Sequence, residues 1–233
     1  MSDTTRLSFL KFKGSIPIRA PALDLLESTC KGFALIDMGA LFPLPKNVFT
    51  PREAARADKF GPRRRKSFTA ARVALKELAY NLGLVEVNTK PWNIETLATD
   101  GIRPALPASG TYCSVSHDNT FVVALANDKP IGVDIETISD KVVRGWHIFM
   151  SLPEQGLISE TDLGTDRTVL RAWTMKEAAA KALDFNLVQA WHEVQVLRIG
   201  AEKSLASIKG KEIPFTHFEI QGHVISFITF DDV

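Results

Sequence analysis

The sequence predicts an α+β fold in two subdomains with small antiparallel sheets, and three observations carry that reading. The hydrophobic pattern switches repeatedly between a helical and a strand period. Helix-like and strand-like segments occur in both halves of the 233 residues. Short clusters such as "HDNT" and "DKP" separate β-rich runs at the spacing of hairpin turns.

In the first half, "FALID" (33–37) reads as a strand and "LFPLPKN", with two prolines, as a loop. Thr50-Pro51-Arg52-Glu53 has the form of a helix start: an N-cap hydroxyl, proline in the first turn and a glutamate that completes a capping box. That helix should stop near Gly61-Pro62. A longer one follows over 63–82, with Phe68, Val73, Leu75, Leu78, Ala79 and Leu82 apolar and Gly83 in place to end it. Residues 88–111 are rich in Pro, Gly, Thr and Ser and read as a long loop, a type that more often binds something than merely connects.

In the second half, "YCSVS" (112–116), "FVVALAN" (121–127) and "IGVDIET" (131–137) read as consecutive antiparallel strands. Helices are expected over 148–159 and 166–183. Three strands, "EVQVLRI" (193–199), "FTHFEIQ" (215–221) and "HVISFITF" (223–230), close the chain. The subdomains should meet between about 110 and 130, giving an N-terminal part over 1–118 and a C-terminal part over 119–233.

With 45% hydrophobic residues the chain can bury real cores. A formal charge of +1 argues against a nucleic-acid binder, so any electrostatic partner must meet a local patch. Cys30 and Cys113 are too few for a disulfide framework and suit a reducing compartment. "MSDTTRLSFLKFKG" is interrupted by charge and reads as no signal peptide, and no apolar run reaches membrane-spanning length. The expectation is a cytoplasmic protein with no membrane partner.

Four features could carry chemistry. In "IGVDIE" (131–136) strand alternation puts Asp134 and Glu136 on one face with Val133 and Ile135 on the other. Two carboxylates so close repel unless a cation sits near them, although a solvated strand face would read the same. On the helix "RAWTMKEAAAKALDF" (171–185), Trp173, Glu177 and Lys181 share a stripe, which an ordinary intrahelical Glu–Lys pair also explains. Between Pro51 and Lys76 nine Arg or Lys stand against two acids, with Arg65, Arg72 and Lys76 along one stripe and Arg64 near it. Without interleaved aromatics or a nucleic-acid motif, that patch suits a phosphorylated small molecule better than nucleic acid, and a solvated helix surface is the plainer explanation. Ser116-His117 at a strand end offers a hydroxyl and an imidazole to a phosphate, or serves only structure.

In this order and spacing the four features resemble the 4′-phosphopantetheinyl transferases, specifically the surfactin-synthetase-activator type. The family's strand motif G-[VI]-D-[IV]-E stands as Gly132-Val133-Asp134-Ile135-Glu136. Its helix motif W-x-x-K-E-[AS]-x-x-K stands as Trp173 through Lys181, about forty residues on. Arg103-Pro104, Ser116-His117, "RRRKSFTAAR" and "FMSLPEQGLI" (149–158) match supporting motifs, the last with Met150 in place of an aromatic. The likeness runs from about residue 50 to 198.

The resemblance implies two α/β subdomains related by a pseudo-twofold, with coenzyme A bound between them. It implies transfer of the phosphopantetheine arm of coenzyme A to a serine of an apo acyl or peptidyl carrier protein, with release of adenosine 3′,5′-bisphosphate. On this reading Asp134, Glu136 and Glu177 hold Mg²⁺, with Mn²⁺ the alternative ion, in an all-oxygen site. Glu177, directly or through a metal-bound water, is the candidate base for the carrier serine, and Lys181 protonates or electrostatically stabilises the leaving phosphate. Arg64, Arg72, Arg103, Ser116 and His117 bind coenzyme A. A monomer is expected, since two halves supply what a single-half relative gains by oligomerising. Two departures stand out: Asp118 adds a negative charge after His117, and Asp184-Phe185-Asn186 replaces a glycine pair after Lys181. The rivals are a coenzyme A-binding module without activity and a Mg²⁺-dependent phosphohydrolase.

Overall fold

The computed structural model describes residues 26–43 and 47–230. The leader-peptide reading of the N-terminal stretch, and residues 44–46 of the proline loop, lie outside them. The fold is α+β, a three-stranded and a five-stranded antiparallel sheet with helices against them. Contacts divide the chain into two units, Met1–Asp128 and Lys129–Val233.

In the first unit, β1 (Gly32–Asp37) leads into a one-turn helix α1 (Met38–Leu41), whose amides Gly39 and Ala40 donate to the Asp37 carboxylate. Helix α2 (Pro51–Ala57) starts with the expected capping box between Thr50 and Glu53. Helix α3 (Pro62–Asn81) ends at Leu82, and Gly83 follows in the left-handed region at φ 66°. Strands β2 (Tyr112–His117) and β3 (Phe121–Asn127) form a hairpin, and the sheet order is β1-β3-β2. Helix α3 packs across this sheet, setting Val73, Leu78 and Ala79 in one core with Ala34, Ile36, Val122 and Ala124. Because β3 is the central strand, the unit runs on to Asp128; a boundary at 118 would cut the hairpin.

The second unit begins with β4 (Ile131–Thr137), followed by short helices α4 (Asp140–Val143) and α5 (Trp146–Phe149). Helix α6 (Leu152–Glu160) and the long helix α7 (Thr165–Leu183) come next, then α8 (Leu187–Glu193). Strands β5 (Val194–Arg198), β6 (Lys203–Ile208), β7 (Lys211–Ile220) and β8 (His223–Thr229) complete a sheet in the order β4-β8-β7-β6-β5. Two expectations change here. β4 does not continue a meander from β3 but pairs antiparallel with β8, Asp134 opposite Ser226. The chain closes with four strands, because "KSLASI" forms β6.

Both units carry the same internal brace. Glu53 completes the capping box of α2, and its carboxylate also accepts from Lys76 Nζ (2.6 Å) and from the Thr96 amide (3.0 Å). Glu154 does the same for α6, accepting from the Ser151 amide (2.6 Å), Lys176 Nζ (3.0 Å) and the Val196 amide (2.7 Å). All four charged side chains are at most 1% exposed. A charge buried this deeply persists only when paired and hydrogen-bonded. Lys76 therefore does not belong to the exposed basic stripe that its helix position suggested.

Candidate functional site

The two sequence motifs of the second unit meet through β4 and α7, and Gly132 explains how closely. A β-carbon built there would lie 1.8 Å from the Ala178 carbonyl oxygen, so only glycine lets the helix rest on the strand. The next residue on that strand face is Asp134, 4% exposed. Lys181, two helical turns beyond Thr174, reaches back to donate to Asp134 Oδ1 (2.7 Å) and the Val133 carbonyl (3.0 Å). Glu177 is half-buried one turn before Lys181. Burial and the Asp134 carboxylate push its carboxyl up to about 7, against the pull of Lys181. Trp173 is half-buried, edge-on to Phe149 (5.0 Å) and 6.1 Å from Trp191, so it anchors α7. Met150 is 3% exposed and fills core where the family motif has an aromatic.

Glu136 lies on the same strand face as Asp134 but nearer the end of β4, and it is half-buried. Among the described residues no three His, Cys, Asp or Glu are gathered closely enough to hold a metal ion. As the side chains stand, the cation facing Asp134 is Lys181. The residue chemistry nonetheless suits a hard divalent ion, since Asp134 and Glu177 are oxygen donors close enough to interact, and burial followed by the Asp134 charge raises the Glu177 carboxyl.

In the first unit the candidate phosphate-binding residues fall into two groups. Arg64 is exposed and stacks over Phe60 (4.4 Å). Arg103 is 60% exposed and bonded through Nε to Asp100 (2.6 Å). His117 is exposed as well. Arg72 and Ser116, by contrast, are 4% and 6% exposed. Ser116 and His117 are successive strand residues, so they point to opposite faces and do not form one hydroxyl–imidazole pair. Arg72 donates to the Thr96 carbonyl (2.5 Å) and lies over Phe68, while its buried Nε has no hydrogen-bond partner. Burial pulls its guanidinium down to about 10, against the attraction of Glu53.

Both sequence departures have local explanations. Asp118 Oδ1 accepts from the amides of Thr120 (2.7 Å) and Phe121 (2.8 Å), so its charge is spent on the β2–β3 turn. Asp184 takes the left-handed conformation (φ 57°) that ends α7, the role a glycine would fill, and Asn186 caps α8 through the Gln189 amide. Sequence reasoning missed the Glu154–Lys176 brace. Its one visible signal was Ser151-Leu152-Pro153-Glu154, a capping box that repeats Thr50-Pro51-Arg52-Glu53.

Residues 130–228 match a family model described as the 4′-phosphopantetheinyl transferase superfamily. The match contains both strong motifs and lies within the second unit, and it spans less than half of the chain. A search of curated proteins finds no match to this chain.

Proposed function

We propose that this protein transfers the 4′-phosphopantetheine arm of coenzyme A to a serine of an apo acyl or peptidyl carrier protein, acting as a monomer of the surfactin-synthetase-activator type and releasing adenosine 3′,5′-bisphosphate. The observation that carries this reading is the Asp134–Lys181 ion pair beside Glu177, in the segment that matches the superfamily. Asp134, Glu136 and Glu177 are the residues to hold Mg²⁺ or Mn²⁺. An ion held by them would supply positive charge for the pyrophosphate and the leaving bisphosphate.

The chain's own groups supply the rest. Glu177, the carboxylate beside the Asp134–Lys181 pair, takes the proton of the carrier serine. Lys181, whose ammonium is paired with Asp134, brings its positive charge to the departing phosphate oxygen. Arg64, Arg103 and His117 offer exposed donors for the phosphates of coenzyme A. Arg72 adds a buried guanidinium whose Nε is unused, and Ser116 a hydroxyl. Guanidinium groups suit phosphate through their paired donors.

The test is incubation with coenzyme A, Mg²⁺ and a panel of apo carriers from fatty acid, polyketide and nonribosomal peptide synthesis. The expected result, read by mass spectrometry, is one phosphopantetheine arm added to a carrier. Coenzyme A breakdown without a carrier would instead identify a phosphohydrolase, and binding without turnover a coenzyme A-binding module.

A further inference from the structure

Four polar side chains that the proposed reaction does not use form a line under α7. On the sheet, Asp134 of β4 is registered opposite Ser226 of β8, and Ser226 opposite His217 of β7. His217 Nδ1 lies 2.7 Å from Ser226 Oγ, and Nε2 lies 2.7 Å from Ser204 Oγ. Ser226 Oγ is in turn 2.5 Å from Thr174 Oγ1 on the helix, one turn before Glu177. His217, Ser226 and Thr174 are 0% exposed and Ser204 is 2% exposed. A polar row at a helix–sheet interface is costly unless every group is satisfied.

Proton counting gives an order that satisfies every group. In it Thr174 donates to the Leu170 carbonyl (3.0 Å) and accepts from Ser226. Ser226, having donated its one proton, accepts from His217 Nδ1–H. The lone pair on Nε2 then accepts from Ser204 O–H, whose oxygen accepts from the Gly200 amide (3.2 Å). This order requires a neutral imidazole protonated on Nδ1, and burial with Arg171 nearby holds the imidazole neutral by pulling it down to about 3.

We propose that the Ser204–His217–Ser226–Thr174 chain is a positioning device for the active site. It pins α7 to the sheet at the row of Asp134, and thereby sets Glu177 and Lys181 against that carboxylate. The inference rests on the reading of Asp134, Glu136 and Glu177 as cation ligands. Thr174→Val keeps the shape of the side chain and removes the acceptor for Ser226; Thr174→Ser keeps the hydroxyl.

The test measures Mn²⁺ binding to the full chain, without coenzyme A or carrier, by electron paramagnetic resonance of the free ion, followed by steady-state kinetics. Thr174→Val is expected to weaken Mn²⁺ binding and lower kcat by about tenfold or more, the usual cost of losing support behind a ligand set, with KM for coenzyme A little changed. Thr174→Ser restores both. Ser226→Ala, smaller and on the strand, should reproduce the Thr174→Val loss if that variant folds poorly. Wild-type affinity and kcat in Thr174→Val or Ser226→Ala, with only thermal stability reduced, overturn the proposal alone, as does Thr174→Ser behaving like Thr174→Val. A wild-type protein that binds no Mn²⁺ overturns the underlying site reading with it.

Discussion

Replacing Glu53 by Gln tests whether the buried brace holds the first unit together. Glu53 Oε2 accepts from the Thr50 amide (3.0 Å) and Lys76 Nζ (2.6 Å); Oε1 accepts from the Thr96 amide (3.0 Å) and the Thr96 hydroxyl (2.5 Å). Glutamine keeps one oxygen: turned toward Thr50 and Lys76 its NH₂ faces two donors, and turned toward Thr96 it faces the amide while the hydroxyl can reverse and accept. Lys76 also keeps its charge with less to meet it, since only the Val48 and Pro91 carbonyls remain certain partners. One or two stranded buried donors at about 1–3 kcal/mol each, with the Lys76 charge left short of its partner, agree with the roughly 3–5 kcal/mol seen when one member of a buried pair is removed. That is a large share of an ordinary domain's stability, about 5–15 kcal/mol. Lys76→Met should cost less, because Glu53 would still accept three hydrogen bonds. The assay is urea denaturation followed by hydrogen exchange in β1 and β3, which reports on the first unit. A Glu53→Gln loss below about 1 kcal/mol, or a larger loss in Lys76→Met, would refute the reasoning.

Glu177→Gln should lower transfer by at least about a hundredfold, while thermal melting shows a fold no less stable, since the repulsion from Asp134 is gone; near-normal turnover would remove Glu177 from the site. Arg72→Ala should raise KM for coenzyme A about tenfold, the worth of a charge-assisted hydrogen bond, and raise KM for the carrier less, as separate titrations of the two substrates would show. His217 sets an acid sensitivity. Its folded pKa is depressed to about 3 against an ordinary value of 6.5, so the unfolded chain takes up a proton first. Stability from this group is complete above pH 6.5 and falls by about 1.4 kcal/mol per pH unit below it, down to the folded value. His217→Gln should flatten that slope in urea midpoints measured from pH 7 to pH 5, and an unchanged slope would exclude the residue as its source.

Much of the local structure was legible because it depends on neighbours in sequence. The capping box at Thr50, the glycine after α3 and the motif strand and helix all lie within a few residues of what they specify. What stayed hidden depends on distant partners. The pairing of β4 with β8 joins the two ends of the second unit, and the adjacent "DKP" turn gave no sign of it. Strand β6 was passed over because its buried side chains include Ser204 and Ala206, which carry little strand signal. Lys76 looked like a surface cation because burial of lysine is rare, and its carboxylate partner lies more than twenty residues upstream. For the site, residue types were readable, but the sequence gives no view of which carboxylate the Lys181 ammonium favours.

The repeated brace separates what holds this architecture from what acts in it. Gly32 and Lys76 are spaced along the chain as Gly132 and Lys176 are, and Glu77 and Glu177 follow the two lysines directly. At the positions that correspond to Asp134, Glu136 and Lys181, the first unit has Ala34, Ile36 and Asn81. Its buried Glu–Lys pair therefore persists where Asp134, Glu136 and Lys181 have no charged counterpart. Evolution could vary either set without disturbing the other, and changes near Glu177 that spare Lys176 should alter chemistry while leaving the helix seated.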